Sequence, residues 1–346
     1  MNKLARTIVD DAKDSVRGTD FSGLKNKSVL ITGASGLVGT YLLAGLANIP
    51  QKNRPKKIYA VCQSRPEKYW REIVTRVRAT ILQGNLCDDA FVRTLPKADM
   101  VLHASGYAQP GKFMADPLKT LKLNTAVTLK LLAKLRKNGK FLFISTSEVY
   151  SGLTRSPFKE TDIGTTNTDH PRSCYIEGKR CGEAIVYAAR GKGVEAKAAR
   201  LSLAYGPGTR RDDKRALHSF INRALAEKKI EMMDSGEAMR TYCYVTDATQ
   251  MMWCILLHGT DAVYNVGGTS RTSIAKLAKL IGKILNVPVI IPKAQKTALA
   301  APEDVRLDLS KVRKEFGKKK FVSFEEGVKR TVAWQKVLYR SGTKAI

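Results

Sequence analysis

The sequence predicts an α/β protein with a doubly wound parallel sheet and a smaller C-terminal lobe. Two observations indicate this class. Short apolar strand segments alternate with helical segments through the first half of the chain. The first strand also runs directly into closely spaced glycines and a helix, in "KSVLITGASGLVGTYLLAGLA". Strands joined by helical crossovers pair in parallel, so we expect one open sheet with helices on both faces.

The first elements follow from their own patterns. Residues 1–24 place Leu4, Ile8 and Val9 at helical spacing, which predicts an N-terminal helical extension packed on the main body. A first unit is then expected over 25–205. Its predicted strands are "KSVLIT", "KKIYAVCQ", "ATILQGNL", "ADMVLHASG", "KFLFISTS" and residues 194–208, and its later predicted helices cover 116–138 and 174–191.

Beyond residue 205 the alternation becomes less regular, which predicts a second lobe over 206–346. The segment near 240–266 is expected to return to the first unit. The predicted elements of this part are a helix over 216–229, strands over 230–234 and 262–268, and a helix over 273–286.

Composition limits the function classes. The six cysteines form no Cys-x-x-Cys pair or Cys/His cluster, so we expect reduced thiols in a cytoplasmic protein and no metal site. No segment has the length of apolar sequence that a membrane span requires. The net charge of +29 suits a polyanionic partner, but Lys and Arg are spread along the chain. This spread favours a solvated basic surface without a specific nucleic-acid partner.

The glycines Gly33, Gly36 and Gly39 lie between the first strand and the first helix. Glycines at such a turn let a dinucleotide pyrophosphate approach the backbone and the positive helix N-terminus. The sequence therefore predicts a dinucleotide site at this turn.

Two downstream motifs match this glycine pattern. Tyr175 precedes Lys179 by four residues in a predicted helix, so both side chains share one face, and the lysine is expected to lower the pKa of the phenol. "ISTSEVY" places Thr146 at the end of the fifth strand. Glycines spaced three and three, followed in order by these residues, resemble the extended short-chain dehydrogenase/reductase superfamily of epimerases and dehydratases. The resemblance covers about residues 25–335.

The resemblance implies a Rossmann-type unit, NAD as cofactor, a nucleotide-sugar substrate and a homodimer formed by helices at about 116–137 and 174–190. The lobe over 206–346 would mainly bind substrate. The implied cofactor site comprises Gly33, Ser35, Gly36, Leu37, Val38, Gly39, Gln63, Ser64, Arg65, Asn85, Leu86, Ala104, Ser105, Tyr175 and Lys179.

Three stretches, "DPLKTLKLNT", "STSEVY" and "PRSCYIEGKR", are similar to UDP-glucuronate decarboxylases. By this resemblance the catalytic group is Thr146, Glu148, Tyr175 and Lys179. Tyr175 would take the proton of the sugar 4-hydroxyl during oxidation at C4, and the 4-ketone would allow loss of carbon dioxide from C5. Substrate binding would involve Ser147, Leu203 and Arg240.

The chain also departs from the family pattern. After the second strand it has Gln63, Ser64 and Arg65 instead of an acidic residue, which leaves NADP as an alternative cofactor. Leu203 stands where the superfamily commonly has Asn, and Ser147 where sugar 4,6-dehydratases often carry Asp. The alternatives are therefore a nucleotide-sugar 4-epimerase, 4,6-dehydratase or 4-ketoreductase, and more remotely a noncatalytic dinucleotide-binding scaffold.

Overall fold

A computed structural model describes residues 1–64, 66–292 and 304–341. The strands in chain order are β1 (Ser28–Thr32), β2 (Lys57–Cys62), β3 (Thr80–Gln83), β4 (Ala98–His103), β5 (Leu135–Thr146), β6 (Glu195–Leu201), β7 (Leu203–Tyr205), β8 (Ile230–Glu231), β9 (Met239–Arg240), β10 (Tyr242–Tyr244), β11 (Val263–Val266), β12 (Thr272–Ser273), β13 (Val289–Ile290) and β14 (Asp304–Val305).

The helices are α1 (Lys3–Asp11), α2 (Leu37–Leu46), α3 (Lys68–Arg76), α4 (Asp89–Thr94), α5 (Pro110–Ala115), α6 (Pro117–Asn124), α7 (Ala126–Leu132), α8 (Ser173–Arg190), α9 (Ala216–Glu227), α10 (Val245–His258), α11 (Ile274–Leu285), α12 (Ser310–Phe316) and α13 (Phe324–Arg340). None of the helices described is long and apolar enough to cross a membrane.

The main sheet confirms the predicted fold class. Seven strands pair in parallel in the order β11-β6-β5-β4-β1-β2-β3. One face packs on α2, α3 and α10, and the other on α4, α7 and α8, with an apolar core on each side. All the carboxyl ends of these strands therefore lie along one edge of the sheet, and all their amino ends along the opposite edge.

The predicted helix over 116–138 is wrong in extent. The chain forms two helices, α6 and α7, which meet at Thr125, and residues from Leu135 onward already belong to β5. The Thr125 hydroxyl bonds the Leu121 carbonyl at 2.8 Å. Such a back-bond from a β-branched residue favours a bend in a helix.

The predicted strand over 194–208 is likewise divided, into β6 and β7. β6 pairs with β5 in the main sheet, whereas β7 leaves that sheet and pairs in parallel with β10. The predicted strand over 230–234 is reduced to the two residues of β8. The C-terminal lobe has its own apolar core, which includes residues of α9, α11 and α13.

The N-terminal helix α1 is an integral part of the packing. Leu4, Ala5, Ile8 and Val9 are buried in the core on one face of the sheet. At its end, the carboxylate of Asp11 accepts hydrogen bonds from a tyrosine of α2, a tyrosine of β10 and an arginine of α13. Helix α1 therefore joins the glycine-loop helix to the C-terminal lobe.

Candidate active site

A cavity of about 1040 Å³ lies at the carboxyl edge of the main sheet, between the strand ends and the C-terminal lobe. Its wall includes residues that follow β1, β2, β3, β4 and β5. In open α/β sheets this edge is where ligands bind. Every predicted site residue that the structure describes lies on this wall, whereas Arg65 falls outside the described residues.

The glycine loop forms the floor at one end of the cavity. Gly33 has φ +63°, and a Cβ there would lie 2.6 Å from the Ala104 carbonyl oxygen. A Cβ on Gly39 would overlap the Gly33 carbonyl oxygen. Gly36 precedes α2, and no side chain caps the first turn of that helix. The backbone can thus approach an anion closely at a helix N-terminus, so this cradle fits a dinucleotide pyrophosphate.

The other residues predicted to bind a cofactor line the same cavity as this cradle. Gln63 and Ser64 follow β2 and are exposed, Asn85 follows β3, and Ser105 follows β4. The described residues directly after β2 thus carry neutral polar side chains. His103, at the end of β4, is buried and bonds the Thr32 hydroxyl at 2.8 Å, and burial lowers its pKa to about 3. It is a neutral structural histidine.

Tyr175 and Lys179 lie one turn apart on α8, and the structure brings them together with Thr146. The Tyr175 ring stacks on Phe113 with centroids 4.6 Å apart. Thr146 is close enough to Tyr175 for its hydroxyl to lower the pKa of the phenol. The Lys179 Nζ lies 6.0 Å from the Tyr175 ring centroid and donates to the Ile144 carbonyl at 2.7 Å.

The electrostatics of this pair differ from the expected lowering of the phenol pKa. Burial raises the pKa of Tyr175 to about 12, against a smaller lowering by the Thr146 hydrogen bond. Burial also lowers the pKa of Lys179 to about 7, because the apolar surroundings disfavour the ammonium. The prediction that Lys179 lowers the pKa of Tyr175 assumed that the lysine is always protonated. A buried lysine that titrates near neutral pH does not provide that charge at every pH.

Glu148 forms an ion pair with Arg172, whose Nη2 lies 2.5 Å from the Glu148 Oε1. The Arg172 guanidinium also lies over the Phe113 ring, 5.8 Å from its centroid. Burial raises the pKa of Glu148, while Arg172 and then Arg240 oppose that rise. Sequence reasoning missed Arg172, although it lies three residues before Tyr175 in one of the quoted motifs.

The far end of the cavity is strongly basic and includes Leu203 and Ser147 on its wall. Arg215 pairs with Asp213 at 2.6 Å, and Arg240 donates to the Met239 carbonyl. The basic residues on the wall are Lys112, Lys119, Arg172, Lys179, Arg210, Lys214, Arg215 and Arg240, and the acidic ones are Glu148, Asp212 and Asp213. Sequence reasoning missed Arg210 and Arg215, although the run "TRRDDKR" signals their charge density.

A buried polar network supports α8, the helix that carries Tyr175 and Lys179. Glu183, one turn after Lys179 on α8, accepts a hydrogen bond from the Ser145 hydroxyl at 2.5 Å. Arg200 of β6 donates to both oxygens of the same carboxylate. Arg200 also donates to the Tyr150 hydroxyl at 2.8 Å. The network therefore fixes α8 against the end of β5, directly beside Thr146.

Comparison with known proteins agrees with this geometry. The sequence profile of the NAD dependent epimerase/dehydratase family matches residues 29–267. UDP-glucuronic acid decarboxylase 1 of Xenopus tropicalis is 29% identical over 308 residues, which cover 88% of this chain and 71% of that relative.

Two solved structures share the fold. UDP-glucose 4-epimerase from Thermotoga maritima, solved with UDP-glucose, is 25% identical with a TM-score of 0.77, over 90% of this chain and 99% of that one. The Bordetella bronchiseptica enzyme WbmF, solved with NAD+, is 25% identical with a TM-score of 0.71, over 92% of this chain and 96% of that one.

Proposed function

The chain belongs to the NAD dependent epimerase/dehydratase family, and from that premise we propose that it converts a nucleotide-linked sugar through a 4-keto intermediate, with decarboxylation of a UDP-hexuronate as the favoured outcome. The observation that carries this proposal is the joint placement of Tyr175, Thr146 and Glu148 on the wall of one cavity that also contains the glycine cradle. In this proposal, the cavity would bind both the dinucleotide and the sugar nucleotide.

The family cofactor is NAD, and Gly33, Gly36 and Gly39 would hold its pyrophosphate, with Lys179 on the wall of the same cavity. When bound, NAD supplies the reversible oxidation of a carbinol carbon. Gln63 and Ser64, which directly follow β2, are neutral and do not supply the acidic residue typical of NAD sites, so NADP stays the alternative cofactor.

The phenol of Tyr175 serves as the base that takes the proton of the sugar 4-hydroxyl. Thr146, whose hydroxyl lies beside that phenol, orients the same sugar oxygen. With a pKa of about 12, the phenol is almost entirely protonated at neutral pH, so formation of the phenolate needs positive charge beside it. The ammonium form of Lys179 supplies that charge and is favoured below pH 7.

Decarboxylation follows from the 4-ketone, because a carboxylate β to a ketone loses carbon dioxide with its electron pair delocalised into an enolate. Glu148, whose pKa is raised by burial, is the proposed proton donor to the enolate carbon. The wall has more basic than acidic residues, which suits a dinucleotide with its pyrophosphate and a UDP-hexuronate with its diphosphate and carboxylate. Arg240 and Arg215 are the proposed diphosphate ligands.

The alternative reactions require different catalytic residues. A 4-epimerase needs only Thr146, Tyr175 and Lys179, so it gives Glu148 no role. A 4,6-dehydratase needs an acid for the departing hydroxyl, and Ser147 is a poor one. A 4-ketoreductase uses the same phenol and threonine as the epimerase. We therefore rank these reactions after decarboxylation.

We also propose that the protein is a cytoplasmic homodimer. Leu118 on α6, Leu129 on α7 and Tyr187 on α8 are 80%, 56% and 69% exposed, and these three neighbouring helices present them on one side of the sheet. Burial of such a surface by a second copy would remove apolar area from water. All six cysteines are free thiols, which suits a reducing compartment.

The test of the proposed function is incubation of the purified protein, with NAD or NADP, against a panel of UDP, GDP and dTDP sugars, followed by mass spectrometry. The proposal expects UDP-glucuronate to lose one carbon dioxide and expects Glu148→Gln to abolish that loss. If the wild-type protein leaves UDP-glucuronate intact but epimerises or dehydrates another sugar, the decarboxylase assignment is replaced by that activity.

A further inference from the structure

The amino edge of the main sheet, opposite the cavity, carries a group of exposed lysines. The lysines come from sequence positions far apart, and the parallel topology brings them to one line. They are exposed, and they lie just before β1, just before or at the start of β2, just before β4, or in the irregular start of β5. We call this surface the basic edge; it comprises Lys25, Lys27, Lys56, Lys57, Lys97 and Lys137.

Hydrogen bonds to two backbone carbonyls show that these segments are neighbours. The amide nitrogens of Lys56 and Lys57 lie 2.8 and 3.4 Å from the Lys27 carbonyl oxygen. The Arg136 side chain, next to Lys137, bonds the Lys97 carbonyl at 3.4 Å. The strand order β5-β4-β1-β2 then places the whole group within three strand spacings, roughly 15 Å along the sheet edge.

Other cations on this side of the sheet already have structural roles. Arg54, Lys134 and Lys140 each donate to backbone carbonyls at or near the carboxyl ends of helices, where they offset the negative end of the helix dipole. In the described part of the chain, none of the six basic-edge ammonium groups forms a side-chain hydrogen bond or an ion pair. The described contacts therefore give these six ammonium groups no hydrogen-bonded partner, although Lys27 is near enough to the Asp99 carboxylate to help lower its pKa.

Acidic residues do not neutralise the basic edge. Among the described residues at this edge from β5 to β2, the acidic one is Asp99. Its carboxylate is half-buried and accepts hydrogen bonds from the Ser28 amide and hydroxyl. Six exposed cations close together raise the local potential and repel one another. A surface of this kind is stabilised by a ligand that carries several negative charges in a line.

We propose that the basic edge binds the phosphodiester backbone of nucleic acid without regard to sequence. Two observations favour this occupant over an anionic membrane. None of the large apolar side chains that are exposed in the described residues lies on the basic edge, so it offers no anchor for lipid. The twist of neighbouring strands also turns the edge by roughly 60 to 75° across its four strands, which suits a flexible chain better than a plane.

The same observations limit the kind of recognition. The basic edge has no exposed aromatic side chain on which a base could stack. Six ammonium groups can contact phosphates only as point charges, so affinity should depend on salt and little on sequence. With six phosphate contacts, the slope of log K against log salt should be near −5, which is about a thousandfold loss of affinity between 50 and 200 mM salt.

The experiment measures binding of the full chain to a fluorescently labelled mixed-sequence DNA duplex and to an RNA strand, from about 50 to 200 mM salt. The test variant is Lys27→Gln, Lys56→Gln, Lys57→Gln and Lys97→Gln together. We expect the salt slope to fall from near −5 to near −2 and low-salt affinity to fall steeply. Thermal unfolding checks that the variant is folded.

A matched control removes four exposed lysines elsewhere: Lys279→Gln, Lys283→Gln, Lys319→Gln and Lys320→Gln. The control has the same net charge as the test variant, and it should keep the wild-type slope. Equal losses in both variants would mean that net charge alone drives binding, and the proposal would be overturned. Absence of binding to either nucleic acid, with binding to vesicles containing phosphatidylglycerol, would overturn it in favour of a membrane surface.

Discussion

The substitution Glu183→Gln tests whether the buried network under α8 sets the geometry and charge of the site. The Glu183 side chain is 9% exposed and its carboxylate receives three contacts from Arg200 and one from the Ser145 hydroxyl. A glutamine keeps the shape but removes the charge, and its amide would oppose at least one of these donors. Arg200 is then left as a buried cation with only neutral partners.

The expected cost comes from this uncompensated charge. Removal of one partner of a buried ion pair typically costs about 3 to 5 kcal/mol of unfolding free energy, and we expect a loss in that range. The Glu183 carboxylate also partly offsets the burial of Lys179, so its removal should move the pKa of Lys179 further below about 7. The alkaline limb of the pH–rate profile should therefore move to lower pH.

Urea unfolding of Glu183→Gln and the wild type gives the stability change directly. The control is Glu177→Gln on the same helix, whose partner Arg180 is 2.7 Å away in a half-buried pair near the surface. That change should cost no more than about 1 kcal/mol. A loss of less than about 1 kcal/mol in Glu183→Gln, with an unmoved pH profile, would refute the role given to the network.

Three further outcomes follow from the site. Tyr175→Phe keeps the stack on Phe113 and should lower kcat by about 10² to 10⁴-fold with NAD affinity unchanged in titrations; an active variant would contradict the role of the phenol. Lys179→Met removes an amine whose pKa falls from 10.5 in the unfolded chain to about 7 in the folded protein. This difference destabilises the folded wild type, and the destabilisation grows as the pH falls from 10.5 to about 7. Its stability gain in denaturant unfolding should thus be larger at pH 6 than at pH 9 by about 2 to 3 kcal/mol, and an equal gain at both would count against a buried ammonium. Gly39→Ala should weaken NAD binding in calorimetry by at least about tenfold, because its methyl group would overlap the Gly33 carbonyl; unchanged affinity would remove the glycine cradle from the account.

The main sheet could be predicted because its signals are local. Each strand is a short apolar run, and the glycine turn after β1 fixes where the first crossover begins. The break at Thr125 and the departure of β7 to pair with β10 could not be predicted, because they depend on tertiary hydrogen bonds and pairings. Propensity and periodicity carry no information about such distant partners.

The sequence predicted only those parts of the site whose residues have a characteristic spacing along the chain. The glycines, Tyr175 and Lys179 have fixed separations along the chain, whereas the Arg172 contact with Glu148 depends on how a loop folds over the strand end. The direction of the Tyr175 pKa shift was unpredictable for the same reason, since burial decides it. The basic edge is the clearest case, because only the strand order gathers lysines that the sequence leaves scattered.

The most direct test of the central claim is the fate of UDP-glucuronate in the presence of the purified protein and NAD, followed by mass spectrometry and NMR. The account predicts release of carbon dioxide and a UDP-pentose product from the wild type, and no product from Tyr175→Phe. Turnover by Tyr175→Phe at the wild-type rate, or a wild-type protein that binds NAD but alters no nucleotide sugar, would contradict it.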